Sequence, residues 1–120
     1  MNMKDARWES SCLRAESVGS DAAFFGPPTT AKAIKYPYVI VRMKTNKSDL
    51  AQLFWITSTI PESEATSFKF GVRGDNQFHE YKLNVSRVRT WRGVITRLRL
   101  DPTNQIGAVV EVDYIKFAEQ

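Results

Sequence analysis

Residues 81–117 read YKLNVSRVRTWRGVITRLRLDPTNQIGAVVEVDYIKF, and this stretch indicates an all-β fold. Within it, residues 94–100 alternate in character, as a half-buried antiparallel strand requires. The alternation predicts one face made by Val94, Thr96, Leu98 and Leu100 and an opposite face made by Ile95, Arg97 and Arg99. Asp101-Pro102 ends this strand, because proline lacks a backbone donor and restricts the residue before it. The chain then extends again from Ala108, which predicts a hairpin with a long polar loop.

Turn signals separate further extended segments along the rest of the chain. The predicted segments are 8–16, 22–26, 36–45, 50–57, 67–72, 78–85 and 108–117. Residues 1–5 are predicted to fray, and segment 50–57 is predicted to lie centrally in its sheet because both of its faces are apolar. No helical pattern appears. About eight or nine short strands with turns between them predict a two-sheet antiparallel β-sandwich of the jelly-roll kind.

The last predicted strand changes phase. Val110 and Val112 have one parity, whereas Ile115 and Phe117 have the other. Because side chains on a strand alternate with a period of two, one residue must be extra for all four to face the core. The sequence therefore predicts a β-bulge at Asp113 or at the residue after it.

Length, composition and charge narrow the possible classes of protein. At 120 residues, 42% of them hydrophobic, the chain is predicted to be one globular domain, 1–120. No apolar run reaches the roughly 20 residues of a membrane helix, and the opening lacks a signal-peptide pattern, as expected for a module taken from a longer exported protein. Cys12 stands alone and is predicted to be a buried thiol. Lysine and arginine exceed aspartate and glutamate by 17 − 13 = 4, which favours an anionic partner without naming it.

The order of landmarks resembles a known family. The segments that carry the resemblance are SCLRAESVGSDAAFFGP (11–27), YPYVIVRMKTNKSDLAQLFW (36–55), FHEYKLNV (78–85), WRGVITRLRLDP (91–102) and VEVDYIKF (110–117). Together they are similar to the galactose-binding-like jelly rolls, whose members are often non-catalytic carbohydrate-binding modules of polysaccharide hydrolases and lyases. The resemblance implies a module that targets an attached catalytic domain to a polysaccharide, and an acidic polysaccharide is one of the candidates. It also implies a location in the extracellular space or periplasm. Members of this fold also serve as structural or protein-interaction domains, and that alternative stays open.

Residue chemistry suggests where a sugar would bind. A pyranose has an apolar C–H face and a fringe of hydroxyls, so its site needs an exposed aromatic ring beside planar polar groups. The predicted ligand-binding residues are Tyr36, Tyr38, Trp55, Arg73, Asn76, Gln77 and His79. Each has a structural alternative, in the core for the aromatic residues and in a solvated hairpin tip for the polar ones. Trp91, beside Gly93, is interpreted as a packing residue, and Trp8 is left open between core and ligand.

Two further hypotheses concern metal and catalysis. The resemblance implies a structural Ca²⁺ near the closing strand, with Asp113 and Glu111 as candidate ligands; the alternative is that Asp113 pairs with an arginine. Arg99 and Asp101 are predicted to form a structural pair. The chain is predicted not to be an enzyme, since the sequence has no serine elbow, zinc-binding histidine pair or phosphate loop. A basic patch could also contact nucleic acid, but the predicted partner is a polysaccharide and no membrane contact is expected.

Overall fold

The computed structural model describes residues 3–9, 12–17, 24–26, 28–60, 62–101 and 108–120, and in the first two ranges it describes the backbone alone. Its strands are β1 (Met3–Glu9), β2 (Cys12–Ser17), β3 (Phe24–Phe25), β4 (Ala31–Lys32), β5 (Tyr38–Thr45), β6 (Asp49–Thr57), β7 (Ser67–Val72), β8 (His79–Leu83), β9 (Val94–Asp101) and β10 (Val109–Ala118). Three short 3-10 turns span Ala33–Lys35, Glu64–Thr66 and Val85–Arg87. Among the described residues, no helix is long and apolar enough to cross a membrane.

The strands form two antiparallel sheets. Sheet A has the order β1-β2-β10-β5-β8, and sheet B has the order β3-β9-β6-β7, with β4 also paired to β9. The chain passes back and forth between the sheets, so that the last strand, β10, lies between β2 and β5 in sheet A. This is the predicted β-sandwich, and β6 has the predicted interior position in its sheet.

The core lies between the two sheets and is filled by alternate residues of the facing strands. Sheet A contributes Val39, Val41, Met43, Val110 and Val112, and sheet B contributes Ala51, Leu53, Trp55, Ile95, Leu98 and Leu100, all of them buried. Burying a large aliphatic or aromatic side chain contributes roughly 1.5–3 kcal/mol. The apolar positions of these strands therefore determine which face of each sheet turns inward.

The predicted bulge in the last strand is confirmed. The pairing of β10 with β5 shifts between Val112 and Tyr114, so Asp113 is the extra residue. As a result Val112 is buried and Ile115 and Phe117 pack against the same core.

Three strand predictions are wrong. Residues 3–5 do not fray, because β1 begins at Met3, which pairs with Ser17. Segment 8–16 is not one extended run: β1 and β2 pair antiparallel, with Glu9 opposite Cys12. In β9, Ile95 faces the core together with Leu98 and Leu100. The pairing with β6 shifts at Thr96, whose hydroxyl donates to the Ile56 carbonyl at 3.0 Å, so a second bulge interrupts the alternation.

Candidate functional site

The structure does not bring the predicted ligand-binding residues together. Tyr36 and Tyr38 lie where β5 begins, whereas residues 73–79 pack against the end of β5, where the backbone N–H of Asn76 donates to the Thr45 carbonyl at 2.9 Å. Seven residue steps separate Tyr38 from Thr45, a distance of about 23 Å along an extended strand. The Tyr36 ring is half-buried against Phe117, with centroids 5.4 Å apart. These residues therefore belong to opposite ends of the sandwich.

The prediction that Trp55 binds the ligand is wrong. Its exposed fraction is 0%, and its indole N–H donates to the Thr90 carbonyl at 3.2 Å. A ring sealed inside the core offers no face to a sugar, so Trp55 is a packing residue. Trp91 is also buried, as interpreted from the sequence, and its indole N–H contacts the carbonyls of Ala33 and Tyr36 at 3.2 and 2.8 Å. The side chains of Trp8 and Cys12 lie outside the described residues.

The loop from Arg73 to His79 is held by its own hydrogen bonds. The Asp75 carboxylate accepts from the backbone N–H of Gln77 at 3.1 Å and lies 2.8 Å from the His79 ring nitrogen Nε2. The contact with His79 lowers the pKa of Asp75 below its usual value. Asn76 has a φ of 60°, a left-handed conformation that asparagine tolerates better than most residues. The side chains of Arg73, Asn76 and Gln77 are exposed, and a ligand role for them stays a prediction.

The two candidate calcium ligands are engaged by cations of the chain itself. The Asp113 carboxylate accepts from Arg42 Nη1 at 2.7 Å, and the Glu111 carboxylate lies 2.6 Å from Lys44 Nζ. The described residues contain no group of three or more histidine, cysteine, aspartate or glutamate side chains that could hold a metal ion. Since calcium needs about six to eight oxygen ligands, the described residues do not fit a calcium site, and they provide the pairing with arginine that was the alternative for Asp113.

The outer face of sheet B, the side that faces away from the core, has an arrangement that suits a ligand better. Its central row runs across four strands and consists of Phe25, Arg99, Phe54 and Ser67. The next row consists of Asp101, Gln52 and Lys69. Beyond it Leu50 lies opposite Gly71, and on the other side of the central row Arg97 lies opposite Ile56. We call these eleven residues the sheet B face.

Arg99 is the centre of this face. Its Nε and Nη2 donate to the two oxygens of Asp101 at 2.8 Å each, and its Nη1 donates to Glu62 at 2.7 Å. Its guanidinium lies 4.7 Å from the centroid of the Phe54 ring, which is itself buried beneath it. The bidentate pairing with Asp101 and the contact with Glu62 raise the pKa of Arg99 above its usual value. The predicted pair of Arg99 and Asp101 is thus confirmed, within a larger cluster.

A second set of hydrogen bonds orients Gln52. Its side-chain amide donates to Glu64 at 2.6 Å and to the Ser67 hydroxyl at 2.9 Å. The turn that carries Glu64 is fixed by a capping box between Ser63 and Thr66. The planar groups at the centre of the face are therefore held in place before any ligand arrives.

Exposed apolar groups flank this polar centre. Phe25 is 42% exposed and Leu50 is 56% exposed. Gly71, opposite Leu50, leaves open space where a side chain would stand. A cleft of about 80 Å³ lies beside them, lined by Leu50, Ala51, Gln52, Lys69 and Asp101.

The face is balanced in charge. Its cations are Arg97, Arg99 and Lys69, and the carboxylates on it or bound to it are Glu62, Glu64 and Asp101. A sugar site requires an exposed aromatic ring, neighbouring apolar surface and planar hydrogen-bonding groups, and the sheet B face provides these in Phe25, Leu50 and the Arg99 cluster. The face therefore offers the kinds of group that a hydroxyl-rich ligand contacts.

The chain has the β-sandwich fold of carbohydrate-binding modules. A search of solved structures finds a mutant of a carbohydrate-binding module of family 29, with a TM-score of 0.62 and 10% identity, covering 96% of this chain and 74% of that module. It also finds CBM86, described as a low-affinity xylan-binding module from the gut symbiont Roseburia intestinalis, with a TM-score of 0.65 and 15% identity, covering 98% of this chain and 89% of that module. No protein-family model matches the sequence, and a comparison with curated proteins gives no match.

Sequence reasoning missed Phe25, Gln52 and Leu50. A signal was present in the alternation of residues 50–55, where Leu50, Gln52 and Phe54 share one parity and Trp55 has the other. Because the segment is apolar on both faces, parity alone did not say which set is inside. The volume and burial of Trp55 in the core settle that question.

Proposed function

We propose that this chain is a non-catalytic carbohydrate-binding module that binds a neutral polysaccharide on the sheet B face. The observation that carries the proposal is the exposed Phe25 ring beside the fixed cluster of Arg99, Asp101 and Gln52. The fold likeness to carbohydrate-binding modules supports it.

The physical argument starts from the two surfaces of a sugar. The C–H face of a pyranose packs on the Phe25 ring, and its equatorial hydroxyls point to the sides, toward Arg99 and Gln52. Three of the five N–H groups of Arg99 are already used, two on Asp101 and one on Glu62, which leaves 5 − 3 = 2 for hydroxyl oxygens. Because these groups are pre-ordered, binding costs less side-chain entropy.

Neutral glycans suit this face better than acidic ones. The carboxylates of Asp101 and Glu62 flank Arg99 and would repel a uronate brought against it. Together with Glu62 and Glu64, which are hydrogen-bonded to it, the face carries equal numbers of cations and carboxylates. The site is therefore expected to select hydroxyl geometry rather than charge.

In the full-length protein the module would hold an attached catalytic domain on its insoluble substrate, outside the cell or in the periplasm. Tethering raises the local concentration of enzyme at the polymer without altering the chemistry. We do not propose a catalytic role for the chain itself. A glycosidase would need two carboxyl groups across a cleft, and cations of the chain pair with three of its carboxylates: Arg99 with Glu62, Lys44 with Glu111 and Arg42 with Asp113.

The test is affinity electrophoresis and calorimetry of the chain against neutral xylan, mannan and soluble cellulose derivatives. We expect retention by at least one of them, and a loss of about tenfold or more in Phe25→Ala, because stacked aromatic anchors dominate such interfaces. Ile34→Ala is the matched control, since Ile34 is 95% exposed and lies away from the sheet B face. Unchanged affinity in Phe25→Ala, or no retention by any glycan, would refute the proposal.

A second candidate, an interaction domain of a larger protein, is favoured by the groove at the end where β5 begins. Ile34, Pro37, Trp91 and Val94 line this apolar groove. If a neighbouring domain packs there, the full-length protein should unfold at a higher temperature than the chain alone, and Ile34→Asp should abolish the difference. Under the polysaccharide proposal, Ile34→Asp leaves glycan affinity unchanged.

A further inference from the structure

The outer face of sheet A, on the opposite side of the sandwich, carries a different pattern of residues. One row across its strands consists of Lys116, Ile40 and Lys82, in direct register on β10, β5 and β8. Both lysines are exposed, and Ile40 between them is 9% exposed. Neighbouring strands are about 4.8 Å apart, so the two lysine backbones are separated by about 10 Å.

Each of these lysines lies over a tyrosine ring. The Lys82 ammonium is 4.3 Å from the centroid of Tyr38, and the Lys116 ammonium is 4.9 Å from the centroid of Tyr114. The Tyr114 ring is itself held by a hydrogen bond from its hydroxyl to Glu80. These cation–π contacts restrict two otherwise flexible side chains and hold their ammonium groups over the tyrosine rings.

The other two cations that β5 places on this face are paired with carboxylates. Arg42 pairs with Asp113 at 2.7 Å, and Lys44 lies 2.6 Å from Glu111. Within the part of the chain that the structure describes, Lys82 and Lys116 have no carboxylate within ion-pair distance. Among the described side chains on the outer face of β5, β8 and β10, the cations without a carboxylate partner are therefore these two lysines.

We propose that this row is a second binding site, for a polysaccharide that carries scattered carboxylate substituents. Lys82 and Lys116 bind two such carboxylates, while the exposed parts of the tyrosine rings contact the sugar backbone. The site is separate from the sheet B face and does not depend on the function proposed for it.

Charge spacing favours this ligand over a nucleic acid. Double-stranded DNA presents one negative charge per about 1.7 Å of its axis. Glu80 lies on the row next to the lysines, Asp113 pairs with Arg42 of that row and Glu111 lies one row further. These carboxylates would repel such a dense polyanion. A mainly neutral glycan with charges about 10 Å or more apart can place its carboxylates on the lysines and its hydroxyls beside the acidic groups.

The experiment compares a xylan that carries glucuronate substituents with the same polymer after reduction of its carboxyl groups to alcohols. The backbone is identical, so any difference in affinity comes from the carboxylates. Two surface ion pairs at about 0.2–1 kcal/mol each correspond to a preference of roughly 2- to 30-fold for the substituted polymer at low salt. The preference should shrink at physiological ionic strength, where the screening length is about 8 Å.

The matched variants separate this site from overall charge. Lys82→Gln with Lys116→Gln should remove the preference, whereas Lys32→Gln with Arg89→Gln, an equal loss of charge elsewhere on the surface, should keep it. All four side chains are exposed, so thermal unfolding is expected to confirm folding of both variants. Phe25→Ala is expected to lower affinity for the reduced polymer more than affinity for the substituted polymer, because the lysine row still binds the latter, so their ratio should rise.

Three results would overturn the proposal: a preference that survives loss of both lysines, an equal loss in the control variant, or no preference in the wild-type chain. Tight binding of double-stranded DNA that depends on the same lysines, without a preference between the two xylans, would also overturn it. Loss of neutral-glycan binding in Phe25→Ala tests the sheet B face alone, so the two proposals can fail independently.

Discussion

Trp55 and Trp91 meet edge to face in the core, with ring centroids 5.1 Å apart and planes at 89°. Each indole N–H donates to a backbone carbonyl of a connecting segment, so the pair ties the loops at one end of the sandwich to sheet B. Both rings are buried. Intrinsic tryptophan fluorescence from this pair is therefore expected to report unfolding rather than ligand binding.

Trp91→Phe should destabilise the fold by about 2–4 kcal/mol. The change removes indole contacts in the core and takes the indole donor from the Tyr36 carbonyl, whereas the Ala33 carbonyl keeps its bond from the Tyr36 backbone N–H. Urea unfolding measures the loss. Tyr38→Phe, which alters only a surface hydroxyl, is the control and should stay within about 0.5 kcal/mol of the wild type; an equal effect in both variants would contradict this role of Trp91.

Gly74→Ala should also destabilise the fold, by about 1–3 kcal/mol. A Cβ at Gly74 would lie 2.0 Å from the Ser48 backbone nitrogen and 2.2 Å from the Lys47 carbonyl carbon, so the two loops would have to separate. Gly71→Ala is the matched control, because a Cβ there meets nothing within 4 Å. Equal unfolding midpoints for the two variants would show that the loops do not pack closely.

Arg99→Lys should weaken neutral-glycan binding about tenfold or more while changing stability by about 1 kcal/mol or less. Lysine keeps the charge but loses the planar fork that bonds Asp101 and Glu62 and covers Phe54. Calorimetry with the retained glycan, beside a thermal melt, measures both effects. Arg89→Lys provides the same exchange at an exposed position away from the face. If Arg99→Lys bound the glycan as tightly as the wild type, Arg99 would not be a ligand-binding residue.

Glu80→Gln should lower the pKa of Tyr114. The hydrogen bond to Glu80 raises the pKa of this phenol above its usual value of 10.0, because the carboxylate favours the protonated form. The contribution of this bond to stability is therefore present below about pH 10 and is lost as pH rises through the pKa of the folded state. Ultraviolet absorbance of ionised tyrosine measures the titration, with Tyr114→Phe identifying its step. A titration curve unchanged by Glu80→Gln would exclude the interaction.

Added calcium should not stabilise the chelator-treated protein. Asp113 and Glu111 are engaged by Arg42 and Lys44, and the described residues offer no other cluster of oxygen ligands. A calcium site with a dissociation constant near 10⁻⁴ M would raise the free energy of unfolding by about 2.7 kcal/mol when the calcium concentration is about 100 times that constant. A rise of that size in the free energy of unfolding, absent with magnesium, would restore the calcium hypothesis through ligands outside the described residues.

Most strand positions were predictable because alternation is a local property. The predicted segments 36–45, 50–57, 67–72 and 94–100 match β5, β6, β7 and β9 to within two residues. The bulge at Asp113 was predictable as well, since four apolar residues of mixed parity can face one core only if one residue is extra. The second bulge, at Thr96, was missed because its neighbours alternate without a visible break.

The candidate site was predictable only in part. The spacing of Arg99 and Asp101 gave their pairing, but the sequence did not indicate that Glu62, 37 residues away, completes the cluster. Tyr36, Tyr38 and the loop 73–79 were grouped by chemistry, and the length of β5 separates them. Trp55 was predicted to bind the ligand because the neighbouring sequence does not distinguish a buried aromatic residue from an exposed one at the end of an apolar strand.

Periodicity, turn residues and composition determined that this chain forms short antiparallel strands in two layers, because those signals act between residues that are neighbours in sequence. The tertiary structure alone decided which parity of β6 turns outward, because that depends on the volume of Trp55 fitting between two sheets. It also decided that Phe25, Gln52 and Arg99, brought from three strands, share one face. Hydrogen-bonded register sets such neighbours, and register is fixed only when distant strands pair.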